Sequence, residues 1–174
     1  MTRMQLPDAE STLTELAERM RGAVAFDAKF VGIYSGGAWI AQRLAQILPG
    51  EHDLGYIDVS FYRDDFNRTG LKPALKRTEI PFTVDDATIV LVDDVLYTGR
   101  SVRAAINELF DYGRPARIEL AVLVDRGGRE LPIEPTYAGA RLAVAEHISL
   151  ALARAGDGTL SFGVEPSASG AADA

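Results

Sequence analysis

Two adjacent carboxylates, Asp93 and Asp94, are followed within a few residues by Thr98-Gly99-Arg100-Ser101. They stand after the apolar run Thr88-Ile89-Val90-Leu91-Val92. Backbone N–H groups at a helix start, with the positive end of its dipole, make a site for a phosphate. Gly99 lets the backbone approach such a ligand closely. Thr98 and Ser101 add hydroxyl donors. The carboxylates repel a phosphate, but they accept hydrogen bonds from vicinal hydroxyls such as those of a ribose. Val90 to Ser101 therefore reads as an acceptor pair for a sugar diol beside a cradle for the sugar's phosphate. A helix cap and a turn account for the acids or the glycine taken singly; the ordered whole favours a site. Two other phosphate motifs are excluded. There is no G-x-x-x-x-G-K-[ST], and Gly32, Gly36 and Gly37 do not make G-x-G-x-x-G.

Three further stretches carry chemistry. Ser35-Gly36-Gly37 breaks a strand and opens a helix, so its amides can meet an anion. Residues 63–81 lack a clear period and hold Arg63, Arg68, Lys72, Lys76 and Arg77, a long basic loop of the kind that is usually functional. Asp125-Arg126-Gly127-Gly128-Arg129 is a charged turn. His52 and His147 have no partners at metal-ligand spacing, and Trp39 sits on an apolar helical face.

The elements that must position these residues alternate. Apolar spacing predicts a helix over 11–24, a strand over 30–34, and a second helix from Trp39 to Leu48. A strand over 54–62 and a buried strand over 88–92 follow. Then come a polar loop over 93–99, a helix over 101–112 and a buried strand over 118–124. Residues 141–153 read as strand or helix with equal ease. Small polar residues over 165–174 predict a disordered tail. Alternating strands and helices argue for a parallel, twisted α/β sheet flanked by helices. Its ligands belong outside the carboxyl ends of the strands, where all four stretches fall.

Composition limits the rest. The chain has 174 residues, 25 acidic and 18 basic, for a net charge of −7. That length suits a single domain, expected over 1–164. The negative charge argues against uniform nucleic-acid binding. Cysteine is absent, which excludes disulfides, thiol nucleophiles and cysteine-ligated metals. No signal core or membrane-length apolar run is read, so a cytoplasmic protein is expected.

Val90 to Ser101 resembles the signature that binds phosphoribosyl pyrophosphate in type I phosphoribosyltransferases. The wording Val92-Asp93-Asp94-Val95-Leu96-Tyr97-Thr98-Gly99-Arg100 is narrower. It is similar to the branch of pyrimidine operon regulatory proteins that are also uracil phosphoribosyltransferases. Residues 57–65, Gly113-Arg114-Pro115 and residues 120–133 agree, so the resemblance runs from about Val31 to Ile133.

The resemblance implies the type I fold with a small C-terminal hood, mainly within 125–164. It implies transfer of a ribosyl phosphate from phosphoribosyl pyrophosphate, carrying Mg²⁺, to uracil, giving uridine monophosphate and pyrophosphate. Asp93, Asp94 and Arg63 would be catalytic. The donor would lie on Ser35, Gly36, Gly37, Asp93, Asp94, Val95, Leu96, Tyr97, Thr98, Gly99, Arg100 and Ser101. Val124, Asp125 and Arg126 would meet the uracil, and no metal would be held by side chains alone. The loop over 63–81 would close as a lid. Purine-using relatives carry a carboxylate where Tyr97 stands, which favours a pyrimidine. Members usually have a basic Thr-Arg-Gly pattern where this chain has Ser35-Gly36-Gly37, and a histidine where Gly128 stands. A homo-oligomer, dimer or tetramer, is implied. An RNA hairpin is a further implied partner, through Arg114, Arg117 and Arg129, with Arg100, Arg103, Arg126 and Arg141 as other candidate cations. The rival readings are an RNA-binding attenuator with vestigial catalysis and a transferase using orotate or a purine.

Overall fold

The computed structural model describes residues 4–60 and 77–167. Helix α1 (Ala9–Met20) starts earlier than its apolar spacing predicts, because Asp8 caps it. The Asp8 carboxylate accepts from the Ser11 amide at 2.8 Å, which satisfies one donor that a helix start leaves over. Strand β1 (Lys29–Ile33) leads into α2 (Gly36–Ile47). Strand β2 (Leu54–Ile57) is shorter than the predicted 54–62. The Ser60 amide donates to Asp58 Oδ1 at 2.9 Å, a local turn that competes with further pairing.

Strand β3 (Thr88–Leu96) corrects a second expectation. Asp93 and Asp94 lie within the strand and not in a polar loop after it. The pairing with β4 (Arg117–Asp125) continues past them, with Asp93 opposite Val122 and Leu96 opposite Asp125. Helix α3 (Arg100–Tyr112) connects the two strands.

Strand β5 (Tyr137–Arg141) joins the main sheet. The hood is an antiparallel hairpin, β6 (Ile148–Arg154) and β7 (Leu160–Pro166). This resolves 141–153, left open by periodicity, as a strand from Ile148 onward. It also corrects the tail: Glu165 and Pro166 pair with Ser149 and Ile148. Residues 168–174 lie outside the described residues.

The five-stranded sheet is parallel throughout, in the order β2-β1-β3-β4-β5. Alternate residues of β3 feed two cores, as the two-residue period of a strand requires. Val90 and Val92 pack with Leu13, Leu16 and Leu44 of α1 and α2, and with Leu152 and Leu160 of the hairpin. Ile89 and Leu91 pack with Val102, Ala105 and Leu109 of α3 on the opposite face. No described helix is long and apolar enough to cross a membrane.

This strand order places a switch point between β1 and β3. From β1 the chain turns outward to β2; from β3 it proceeds the other way to β4. Connections leaving on opposite faces open a crevice at the carboxyl ends. The last β1–β3 pair is Gly32 with Val92, and β3 then runs on beside β4 alone. The aspartates are the next residues along β3.

Candidate functional site

A cavity of about 380 Å³ lies at that switch point. Its walls bring together Ser35 and Gly36 from the β1–α2 turn, Asp93 to Val95 and Tyr97 from β3 and its exit, and Ser101 from α3. Arg126 and the hood hairpin close the other side, with Ser149 to Leu152 and Glu165. Thus two of the four stretches singled out in the sequence meet in part, without Gly37, Leu96, Thr98, Gly99 and Arg100, and the charged turn contributes Arg126.

Asp93 is 5% exposed. Its Oδ1 accepts from the Asp94 amide at 2.9 Å, and Asp94 Oδ1 accepts from the Val95 amide at 2.8 Å. These short bonds fix both carboxylates as acceptors at the cavity wall. The second Asp94 oxygen faces Gly36. A methylene on Gly36 would collide with that oxygen and come within 2.9 Å of Asp94 Cβ. A side chain on Gly37 would strike the Val92 carbonyl. The paired glycines are therefore required for α2 to begin this close to β3. The basic residue that the resemblance places in this turn has no room at Gly36. The Tyr34–Ser35 peptide is cis.

The phosphate-cradle reading has matching geometry. Gly99 takes φ +94° as the N-cap of α3, and a Cβ there would press on Ile133 at 3.2 Å. The Arg100 amide donates to Thr98 Oγ1 at 3.3 Å. Arg100 itself pairs with Glu130 at 2.9 Å, half exposed.

The residues expected at the uracil behave differently from one another. Val124 is buried in the core. Asp125 is 4% exposed and accepts from Arg129, Arg141 and the Gly127 amide. A carboxylate so engaged is a structural hub. Arg126 does line the cavity. Its guanidinium stacks 3.9 Å from the Tyr97 ring centre, and it donates to the carbonyls of Ile148 at 2.7 Å and Ala145 at 3.0 Å. It thereby ties the hood hairpin to the cradle. Burial lowers its pKa from the usual arginine range, against the pull of Tyr97. Its Nε is buried with no hydrogen-bond partner. Gly128, where a histidine is usual in the family resembled, abuts the other part of the Tyr97 ring and takes φ +75°.

The cations expected to meet RNA do not gather. Arg129 is consumed by Asp125, by the Tyr97 carbonyl at 2.9 Å and by the Ile133 carbonyl at 2.7 Å. Arg114 and Arg117 lie at the amino end of β4, and Arg117 pairs with Glu119 at 3.1 Å. Eight strand steps of ~3.3 Å separate Arg117 from Asp125 by about 26 Å.

Arg63 and most of the expected lid lie outside the described residues. Its far end is anchored: Glu79 exchanges two 2.8 Å backbone bonds with Tyr56, and the Asp58 amide donates to Thr78 Oγ1 at 3.2 Å. Tyr34 sits near this anchor, its ring 5.3 Å from that of Tyr56. Burial, then the charge of Glu79, raises its pKa above the usual phenol value.

Sequence reasoning missed the hairpin's share of the cavity. Ser149 to Leu152 fall in the segment of ambiguous period, and Glu165 in the assumed tail. The Leu150–Leu152–Leu160 spacing around Asp157-Gly158 was the available signal for a hairpin.

Residues 7–149 match the phosphoribosyl transferase domain family. The chain is 53% identical over 162 residues to the "Bifunctional protein PyrR" of Ralstonia nicotianae, covering 91% of this chain and 92% of that one. It is 47% identical over 148 residues to the protein of the same name from Pseudomonas entomophila, covering 83% and 86%. Among solved structures, a purine phosphoribosyltransferase from Pyrococcus horikoshii Ot3 superposes with a TM-score of 0.60 at 29% identity, covering 78% and 85%. A hypoxanthine-guanine phosphoribosyltransferase from Bacillus anthracis, at 17% identity and a TM-score of 0.62, shares the fold.

Proposed function

The chain belongs to the phosphoribosyltransferase family, and from that premise we propose that it is a uracil phosphoribosyltransferase that also regulates pyrimidine gene expression. The observation that carries the transferase reading is the meeting of the Asp93–Asp94 pair with Tyr97 and Ser101, which flank the α3 start, at one switch-point cavity. One element suits a ribose diol, the other its 5-phosphate.

In the reaction, a bond forms from uracil N1 to the ribose anomeric carbon as the carbon–oxygen bond to pyrophosphate breaks. The N1 proton passes to pyrophosphate or water. The transition state is oxocarbenium-like, so positioning and charge stabilisation dominate. Asp93 and Asp94 hold the ribose hydroxyls, and the amides and hydroxyls from Leu96 to Ser101 hold the phosphate. Ser35 to Gly37 present amides to the pyrophosphate. Arg63 is the cation proposed for that group. Arg126 lines the cavity on the side of the base, and the hood hairpin covers the base. Tyr97, neutral where purine-using relatives carry a carboxylate, favours a pyrimidine.

The paired carboxylates are hard oxygen donors of the kind Mg²⁺ accepts. Among the described residues no three metal-binding side chains cluster, so the ion would be held chiefly by donor oxygens and water, with Asp93 and Asp94 nearby. When bound it neutralises pyrophosphate charge.

Regulation rests on the word bifunctional in the names of relatives nearly as long as this chain. The partner proposed is an RNA hairpin whose binding responds to uridine monophosphate. A cytoplasmic, homo-oligomeric protein fits that role. Arg114 and Arg117 remain the candidate cations for that RNA, since Arg129 is engaged by Asp125 and two carbonyls.

The test is turnover with phosphoribosyl pyrophosphate and a panel of uracil, orotate, hypoxanthine and guanine. Uracil alone should give nucleotide at a substantial rate. A preference for orotate or a purine would overturn the base assignment, and no turnover with any base would leave the attenuator with vestigial catalysis.

A further inference from the structure

The cradle loop is shaped from behind by a turn that does not itself line the cavity. Arg129 is mostly buried, and it fans its donors onto three places at once. Nη1 donates to the Tyr97 carbonyl at 2.9 Å, Nε to the Ile133 carbonyl at 2.7 Å, and Nη2 to both Asp125 oxygens at 2.8 Å. The next carbonyl of the loop, that of Thr98, accepts from the amides of Glu130 at 3.0 Å and Leu131 at 3.2 Å. Two successive carbonyls of the loop are thus held by the same turn.

A trans peptide points its N–H opposite to its C=O. The Tyr97 carbonyl shares a peptide with the Thr98 amide, and the Thr98 carbonyl shares one with the Gly99 amide. Both peptides are trans. Holding both carbonyls toward residues 129–133 therefore turns the Thr98 and Gly99 amides away from that turn. Gly99 rests on Ile133 and Leu131 of the same turn, at 3.2 and 3.6 Å for an added Cβ, which fixes the loop's height as well as its rotation.

We propose that Arg129 is a positioning residue, one that orients the Thr98 and Gly99 amides toward the 5-phosphate of the ribosyl ligand without touching it. The proposal rests on the reading of residues 96–101 as the phosphate cradle. Asp125 serves it by anchoring Nη2, which leaves Nη1 and Nε aimed at the two carbonyls, a spread that lysine's single nitrogen cannot reproduce. The carboxylate of Asp125 and the cation of Arg129 thereby find a joint use, in place of direct contact with uracil or RNA.

The test compares calorimetric affinities for uridine monophosphate and uridine, which differ only by the phosphate. The ratio of the two isolates the contribution of the cradle. In Arg129→Met that ratio should fall about tenfold or more, as when a preorganised donor is mis-aimed, with uridine affinity nearly constant. Arg129→Lys, which keeps the charge and retains at most part of the fan, should give an intermediate ratio and remains informative if the methionine variant fails to fold. Arg117→Met, at the far end of β4, should keep the wild-type ratio. General loosening would weaken both ligands alike and overturn the proposal, as would an unchanged ratio in a folded Arg129 variant. If the wild-type protein itself shows no preference for the phosphorylated ligand, the cradle reading fails, and this proposal with it.

Discussion

The two ends of strand β4 carry the same residue types in opposite circumstances. At the amino end Arg117 meets Glu119 in a pair whose arginine is 65% exposed. At the carboxyl end Asp125 is buried and gathers Arg129, Arg141 and a backbone amide, while Arg126 reaches under the hood. The difference follows from topology. In a parallel sheet every connection leaves the carboxyl ends, and at a switch point two of them part. The loops that gather there bury charge and must satisfy it. At the amino end the connections return to the sheet, and the buried Glu119 meets an Arg117 that stays largely in water. Arg126 and Arg129 are thus drawn into the structure at the carboxyl end, while Arg117 and Arg141 stay largely in water.

The sharpest way to break this contrast is at the acid pair. Asp94→Asn should lower turnover about 10- to 100-fold, because it removes a charged acceptor from a preorganised site. Thermal unfolding should change little. Wild-type turnover in the folded variant would remove Asp94 from the site. The next largest effect is expected for Gly36→Arg. The added side chain must displace the Asp94 carboxylate or push α2 off β3, so donor affinity should fall by about tenfold or more. Tighter donor binding would show that the turn can yield and accept the family's usual cation.

A smaller effect is expected where the hood is fastened. Arg126→Met leaves the carbonyls of Ala145 and Ile148 without their donor. The cost is about 1–3 kcal/mol of stability, read by denaturant unfolding, together with faster proteolysis within 142–166. No loss would mean that the hairpin is held by Leu152 and Leu160 alone. The smallest effect belongs to the amino end. Arg117→Met leaves the buried Glu119 carboxylate with the Tyr137 hydroxyl as partner, so it should cost about 0.5–1 kcal/mol and leave turnover unaltered. A large loss there would erase the distinction between the two ends.

The order of elements and the acid pair were legible in the sequence because they rest on local signals. Ile89 to Val92 is a buried apolar run, and Thr98 to Ser101 opens a helix whose apolar face repeats at Val102, Ala105 and Leu109. That β3 continues through Asp93 and Asp94 was not legible, since two aspartates have low strand propensity and only pairing with Val122 to Asp125 holds them extended. The hood hairpin was hidden by its alanines, serines and glycines, which carry a weak period. The fate of Arg129 was hidden most deeply. Nothing in Asp125-Arg126-Gly127-Gly128-Arg129 tells which arginine turns inward, because that depends on carbonyls at Tyr97 and Ile133 brought near by the fold.

The central claim is that the nucleotide binds at the β1–β3 switch point, at the carboxyl end of the sheet. Amide chemical shifts of the labelled protein, recorded while uridine monophosphate is added, test it most directly. The account predicts the largest shifts at Gly36, Gly37 and residues 93–101, with residues 114–119 unmoved. Largest shifts at 114–119, with 93–101 silent, would contradict it.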